Sequence, residues 1–429
     1  MRVYYQRKSV PVRPADFGSA AAGTNLTGGA VGAAEARRYR MKILITSDWY
    51  VPAVNGVVTS VLNLRRGLEA AGHEVRILTL SQTVRSFEQD GVTLIGSLAA
   101  GKVYPGARLR SHPAGRWIRE LLEWGPDVVH SQCEFSTFPL ARRIAETLDV
   151  PLVHTYHTVY EDYTHYFSPS EKWGRRAVTL FSRWVAAQTD CMITPTEKIR
   201  ALLEGYGVKV PLRVIPSGID VARFEKPLTP ERKAQLQAEL GLDPARLTLV
   251  SIGRLAEEKN VEELIGLMAQ LKARPVTLVL VGDGPARAKL EALAQSSGAA
   301  VVFAGMVPPE RVAEYYRLGD LFVSASQSET QGMTYVEALA SGVPTLCRAD
   351  PCLDGLVEDG KNGWQYHDTE EFLRDLAAFS ADPELRRQLS RAAEQSAQSF
   401  SAETFGRRAE AVYREAIALR RQRCPEETA

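Results

Sequence analysis

From Met41 onward, short apolar runs of strand length alternate with amphipathic helical stretches, and the whole series is written twice. Ile43-Leu-Ile-Thr leads into a helical stretch Val58–Ala71 that ends at Gly72, and strand Glu74–Leu80 follows. Asp127-Val-Val-His, helix Phe138–Leu148, Pro151-Leu-Val-His and Cys191-Met-Ile-Thr continue the first series. After Val210-Pro-Leu-Arg-Val-Ile-Pro-Ser-Gly the pattern restarts with strand Leu247–Ile252, helix Val261–Ala273, strand Val276–Val281, helix Ala286–Ser296, strand Ala300–Phe303 and strand Leu321–Ser324. Strand–helix alternation predicts parallel sheets covered by helices, here two consecutive α/β halves. Ligands of open parallel sheets bind beyond the carboxyl ends of the strands, so two facing halves would share a cleft. The expected organisation is an extension over residues 1–40, halves over 41–212 and 213–400, and a C-terminal segment 401–429 whose amphipathic helix, Ala402–Arg420, crosses back to the first half.

Residues 1–40 are poor in large apolar side chains and rich in Gly and Ala, which predicts a disordered extension. The longest apolar runs fall far short of the roughly 20 residues that a bilayer-crossing helix needs. Five scattered cysteines suit a reducing cytoplasm better than a disulfide framework, and Cys347 and Cys352 lack nearby partners for a metal site. Net charge is only +1, yet it is unevenly placed: residues 1–212 carry 26 basic and 19 acidic side chains, and the remainder is net −6. Between Gly101 and Arg119 stand Lys102, Arg108, Arg110, Arg116 and Arg119 with no acid, so the first half should face an anionic partner, unless this is simply a solvated loop.

Most of the chemistry gathers around Ser326-Gln-Ser-Glu-Thr-Gln-Gly-Met-Thr-Tyr-Val-Glu-Ala-Leu-Ala-Ser-Gly-Val-Pro, where Glu329 and Glu337 flank Gly332. A strand precedes this stretch, and a helix through Val336 closes at Gly342. A carboxylate loop over a helix N-terminus can accept hydrogen bonds from sugar hydroxyls while the free N–H groups receive phosphate. Gly253-Arg-Leu-Ala-Glu-Glu-Lys-Asn leaves the first strand of the second half, placing Arg254 and Lys259 where two cations could balance a diphosphate. Pairing with Glu257 and Glu258 is their plainer alternative. Asn260 and Glu263 have capping-box spacing. Asn55-Gly56-Val57 offers another glycine turn before a helix. Val281-Gly-Asp-Gly-Pro-Ala-Arg lacks the third glycine of the dinucleotide fingerprint, which speaks against a nicotinamide enzyme.

His157, just past a buried strand, could donate a hydrogen bond to a sugar hydroxyl, whereas His154 within the strand reads as structural. In the helical stretch Glu171–Gln188, Lys172, Arg175, Arg176 and Arg183 cluster on one side and Trp173, Ala177, Leu180, Phe181, Trp184 and Val185 cover the other. Basic residues opposite tryptophan suit an anionic membrane surface, or else a core-facing helix with a wet back.

Asp48-Trp-Tyr-Val-Pro-Ala-Val-Asn-Gly-Val, Gly253 through Asn260, and Glu329 through Glu337 with Ala338-Leu-Ala-Ser-Gly-Val-Pro together resemble the retaining family-4 glycosyltransferases of GT-B fold. Within that family, Val153-His-Thr-Tyr-His-Thr-Val-Tyr-Glu-Asp-Tyr-Thr-His-Tyr is similar to the bacterial glucosyltransferases that act on diacylglycerol. The resemblance implies that Arg254 and Lys259 bind the donor pyrophosphate, Glu337 the ribose and Glu329 the donor sugar. It further implies that backbone N–H groups near Gly332, Met333 and Thr334 help, that Gly56 approaches the diphosphate, and that His157 lies near the sugar. No cofactor or metal is expected, since no Asp-x-Asp pair occurs. The implied reaction moves glucose from UDP-glucose to a lipid hydroxyl with retention, by a cytoplasmic enzyme peripheral to the inner face of the cell membrane. Lys172, Trp173, Arg175, Arg176, Arg183 and Trp184 would face acceptor and membrane, and no nucleic acid is involved. Other acceptors (a monoglycosyl diacylglycerol, a phosphoinositide or a soluble sugar), a UDP-sugar epimerase, and a non-catalytic nucleotide-sugar sensor are the alternatives.

Overall fold

The computed structural model describes residues 40–53, 55–101, 107–161, 170–271 and 274–423. The expected extension (residues 1–39), Lys102, the end of the histidine–tyrosine segment (162–169) and the tail with Cys424 lie outside the described residues.

The first half contains β1 (Lys42–Thr46), β2 (Glu74–Leu80), β3 (Phe87–Gln89), β4 (Val92–Ile95), a small hairpin β5 (Ser97–Ala99) with β6 (Arg108–Arg110), β7 (Val128–Ser131), β8 (Leu152–Thr155), β9 (Cys191–Thr194) and β10 (Leu212–Val214). Eight of these form one sheet in the order β10-β9-β8-β7-β1-β2-β4-β3, parallel except for the edge pair β3–β4. Strand side chains alternate faces, and both faces are apolar. Ile43 and Ile45 pack with Val61, Leu64 and Tyr413 on one side, while Leu44, Leu78 and Val129 pack with Ile118, Phe138 and Ile144 on the other.

The second half contains β11 (Leu247–Ile252), β12 (Val276–Val281), β13 (Val301–Gly305), β14 (Leu321–Ser324), β15 (Thr345–Arg348) and β16 (Gly363–Tyr366), all parallel in the order β13-β12-β11-β14-β15-β16. This is the doubly wound order of nucleotide-binding sheets, and its connections reverse direction between β11 and β14. The fold is therefore GT-B: two Rossmann-like sheets in one chain, as the alternation predicts.

The chain crosses between the halves twice, and the crossings run side by side. Ile219 N donates to Phe400 O at 2.8 Å, and Ala402 N donates to Ile219 O at 3.0 Å. Beyond that point the helix Ala402–Arg423 lies against the helix Gly56–Ala70 of the first half. Contact is backbone to backbone: a Cβ on Gly67 would sit 2.0 Å from Ala402 O, and one on Gly406 would sit 2.5 Å from Gly67 C. Phe405, Ala409, Val412 and Tyr413 thereby complete the first half's core. Polar ties extend the seam, since Tyr413 Oη lies 2.6 Å from His130 Nδ1 and Arg420 reaches Asp149 and Asp190 at 2.9 Å each.

Local differences from the sequence reading have simple causes. The helix expected from Val58 begins at Gly56, because Asn55 caps it by accepting from Val58 N at 3.0 Å. The helix expected through Val336 begins at Met333. Asn260 does not form a capping box: it adopts φ 50°, and its amide donates instead to the Glu263 carboxylate at 2.7 Å.

Gly67→Val forces the two helices apart, and overpacking of this kind costs about 1–3 kcal/mol. The variant should melt several degrees below the parent in a thermal scan; an unchanged melting temperature would contradict the close seam.

Candidate functional site

The reversal between β11 and β14 leaves a crevice at their carboxyl ends, and the loops there carry the expected residues. The loop after β11 is braced from beneath, because Leu255 N donates to Asp283 O at 3.0 Å and Ala286 N to Leu255 O at 2.9 Å. Val281-Gly-Asp-Gly thus serves as a turn supporting its neighbour. Arg254 is exposed and pairs with Glu258, the plainer partner. Lys259 behaves differently: its Nζ crosses to the loop after β14 and donates to Glu329 Oε1 at 2.5 Å. A cation and a carboxylate from the two strands at the reversal therefore meet within the crevice.

Behind Glu329 the chain turns at Gly332, whose φ of 72° is costly for any residue with a Cβ. Gly332 also stands as N-cap of the helix Met333–Ala340 and brings no side-chain acceptor, so the N–H groups at Met333 and Thr334 receive no side-chain cap from it. Glu337, one turn along, accepts from Tyr316 Oη at 2.9 Å. Burial pushes its carboxyl up to about 7, against the Tyr316 hydrogen bond and the nearby Arg223 charge. Two cations, uncapped N–H groups and two carboxylates can jointly receive a phosphate and a hydroxyl-bearing ring.

The first half contributes from the carboxyl ends of β7 and β8. His157 Nε2 donates to Gln132 Oε1 at 2.6 Å. Burial lowers its pKa to about 4, with His154 adding to the effect and Glu134 opposing it, so the ring is neutral and Nδ1 is an acceptor. In this arrangement Gln132 engages the Nε2–H that was expected to meet a sugar hydroxyl. His154 is structural, as expected: it is fully buried, 3.2 Å from Glu134 Oε1 and edge-on to Phe138. Glu134 also accepts from Tyr160 Oη at 2.6 Å. Sequence reasoning missed Gln132, Glu134 and Tyr316; the first two stand directly beyond β7, a position that could have marked them. Gly56 is exposed at the start of its helix with open space where a Cβ would project.

Residues 54–223 match the profile described as Glycosyltransferase Family 4, and residues 232–396 match Glycosyl transferases group 1. The alpha-monoglucosyldiacylglycerol synthase of Streptococcus pneumoniae R6 is 35% identical over 384 residues, covering 88% of this chain and 86% of that one. The enzyme of the same name from Acholeplasma laidlawii is 34% identical over 391 residues, covering 88% and 98%. This chain belongs to the family-4 glycosyltransferases. Among solved structures, sucrose-phosphate synthase from Thermosynechococcus elongatus superposes with a TM-score of 0.68 at 23% identity, covering 89% of this chain and all of that one, which supports the GT-B fold. The enzyme is a hexosyltransferase, similar over nearly its whole folded length to the bacterial diacylglycerol glucosyltransferases.

In this glycosyltransferase the helix Glu171–Ala187 is arranged differently from the sequence expectation. Its buried face consists of Gly174, Val178, Ser182, Val185 and Ala186, and Ser182 Oγ is paired with Tyr156 Oη at 3.0 Å. Trp173 (68% exposed), Leu180 (65%) and Trp184 (47%) instead point outward. Lys172, Arg176 and Arg183 are exposed beside them, and Arg176 lies over the Trp173 ring. Cations and tryptophans thus share the outer face instead of opposing each other. Phe135, also exposed, stacks on Phe181 at 5.9 Å and extends the apolar area. No helix among the described residues is long and apolar enough to cross a membrane.

Because His157 titrates lower in the folded state than its ordinary 6.5, the unfolded chain takes the proton first. Its contribution to stability is complete above 6.5 and is lost as pH falls from there toward 4. Urea midpoints should fall over that window, and His157→Gln should reduce the fall, with buried His130 accounting for part of the remainder. An identical pH profile in the variant would contradict a buried neutral ring.

Proposed function

We propose that this enzyme transfers glucose from UDP-glucose to the free hydroxyl of 1,2-diacylglycerol, with the anomeric configuration retained, at an anionic membrane surface. The observation that carries the reading is the Lys259–Glu329 contact beside the uncapped helix N-terminus, in a chain whose relatives of matching length are named alpha-monoglucosyldiacylglycerol synthases. Arg254 and Lys259 take the diphosphate when it arrives, exchanging their carboxylate partners for phosphate oxygens. Glu329, released from Lys259, accepts from the sugar hydroxyls, and Glu337 accepts from the ribose. Met333 and Thr334 N–H groups add to the field on the leaving group, and the family resemblance brings the helix start at Gly56 to the same diphosphate.

In the reaction the bond from the anomeric carbon to the phosphate oxygen breaks and the acceptor oxygen bonds to the same carbon from the same face. The acceptor proton passes to the departing phosphate. Fixed cations and N–H groups stabilise the charge that develops on that phosphate, the kind of preorganised electrostatic contribution worth about 10²–10³ in rate per donor. His157, neutral and held by Gln132, offers Nδ1 as an acceptor near the sugar.

Membrane binding is supported by the outer face of the helix Glu171–Ala187, where tryptophans can enter the interface and cations can meet anionic headgroups. The hairpin β5–β6 adds Leu98 and Leu109, a cross-strand pair exposed together, and Ser136 Oγ donates to Arg108 O at 3.4 Å next to Phe135. On this reading the acceptor is drawn from the bilayer at this face, by an enzyme peripheral to the cytoplasmic side of the membrane.

Incubated with radiolabelled UDP-glucose and anionic vesicles containing diacylglycerol, the protein should place label in an α-linked glucosyl lipid. Lys259→Met should lower that rate by about 100-fold or more. The double variant Trp173→Ser/Trp184→Ser should sediment less with vesicles while still glucosylating detergent-dispersed acceptor. Label remaining in the aqueous phase with the parent protein would rule out the lipid acceptor or the glucose donor.

A further inference from the structure

Two side chains of the first half reach across to the loop that carries Glu329, and neither does what its local sequence would ask of it. Thr196 precedes the helix Glu197–Gly205 in the extended conformation of an N-cap, yet its hydroxyl makes no cap bond. It donates instead to Thr330 O at 2.9 Å, in the second half. Thr is a favoured N-cap because it satisfies an otherwise unpaired N–H, so diverting it is a local sacrifice. Such breaches of local preference concentrate at functional sites.

Lys198, two residues on, is more deeply engaged. Its Nζ donates to Gln327 O and Glu329 O, each at 3.2 Å, and to the two carboxylate oxygens of Asp350 at 2.9 and 2.8 Å. Asp350 lies just past β15, its side chain only 4% exposed, and it also accepts from Cys352 N at 2.8 Å. A buried carboxylate paired with a cation keeps that cation in place, since separating them would leave a charge uncompensated. The cation in turn gathers carbonyls on either side of Ser328. Gln331 completes the attachment: it accepts from Ser217 N at 2.7 Å and donates to Ser217 O at 2.8 Å, where the chain passes between the halves. The segment 327–331 therefore takes much of its shape from outside its own domain.

We infer that Lys198 is a positioning residue for the transfer reaction, fixing the backbone on either side of Ser328 so that the Glu329 carboxylate stands at the donor sugar. It acts through the loop and touches neither donor nor acceptor. Because the cation belongs to the first half and the loop to the second, Glu329 is correctly set only while the halves are together. The inference rests on the assignment of Glu329 to the donor sugar made above. It assigns Lys198 no part in holding the nucleotide, which falls to Arg254, Lys259 and Glu337.

The test compares full-length parent, Lys198→Met and Thr196→Val proteins in the glucosyl transfer assay, with UDP as competitive inhibitor and a thermal melt for each. Lys198→Met should lower kcat by about tenfold or more while the UDP inhibition constant stays within about twofold, because nucleotide contacts are intact. Thr196→Val, which loses one bond to the same loop, should give a smaller fall, about threefold, with little change in melting. A Lys198→Met protein that melts lower but turns over normally would overturn the inference, leaving the pair a structural tie. Equal losses of kcat and UDP affinity would overturn it as well, since they would mean that the nucleotide site itself had collapsed. Should Lys198→Met fail to fold, unaltered turnover in Thr196→Val is the contradicting result. Absence of transfer by the parent protein would fail the donor assignment and the inference with it, an outcome distinct from normal parent turnover with an indifferent variant.

Discussion

Parallel pairing makes every strand of a sheet finish at the same edge, and the rest of this molecule follows from two such edges being brought together. The loops beyond the strands are where side chains need not serve the core, and the order reversal in each sheet opens a gap between neighbouring loops. In the second sheet that gap separates the Lys259 loop from the Glu329 loop, and the Lys259–Glu329 ion pair, with Ser328 Oγ donating to Glu258 O at 3.0 Å, bridges it. In the first sheet the corresponding edge supplies Gln132, Glu134 and His157. Bringing the edges together requires the chain to be tied at its crossings, which the paired segments at Ile219 and Ala402 and the glycine seam of the last helix accomplish.

The polar groups of the cleft are paired with one another in a way that suits exchange. Arg254 and Lys259 each hold a carboxylate through which they are partly neutralised, and a diphosphate would compete for both cations at once. Glu337 is different, being pushed toward neutrality by burial and steadied by the Tyr316 hydroxyl. Around His157 the pairing is of another kind: a buried amide oxygen accepts from a neutral imidazole.

Much of the fold could be read in the sequence because both sheets are buried on two faces, so their strands stand out as unbroken apolar runs. Edge elements such as β3, β5 and β6 are short and exposed, and carry no such signal. Glu329 and Glu337 stand out in the sequence because they flank a glycine turn between a strand and a helix, whereas their donor roles rest on the family resemblance. The network through Gln132 and Glu134 was not, since its partners lie about two dozen residues away in sequence and meet only through β7–β8 pairing. The helix Glu171–Ala187 misled for another reason. Periodicity sets the cations opposite the tryptophans, yet this helix packs through Gly174, Ser182 and Ala186, and close approach by small residues leaves the large rings outside, on the same face as the cations. Asn260 likewise has cap spacing, but its left-handed backbone turns the side chain toward Glu263.

On the proposed function, the crevice between β11 and β14 is a nucleotide-diphosphate site in which Lys259 is a principal cation. Calorimetric titration of UDP into the parent protein and into Lys259→Met tests it without reference to acceptor or membrane. The parent should bind saturably and one-to-one, and the variant should lose roughly 10- to 100-fold in affinity, the scale of a charge-assisted hydrogen bond. Failure of the parent to bind UDP, or equal affinity in the two proteins, would contradict it.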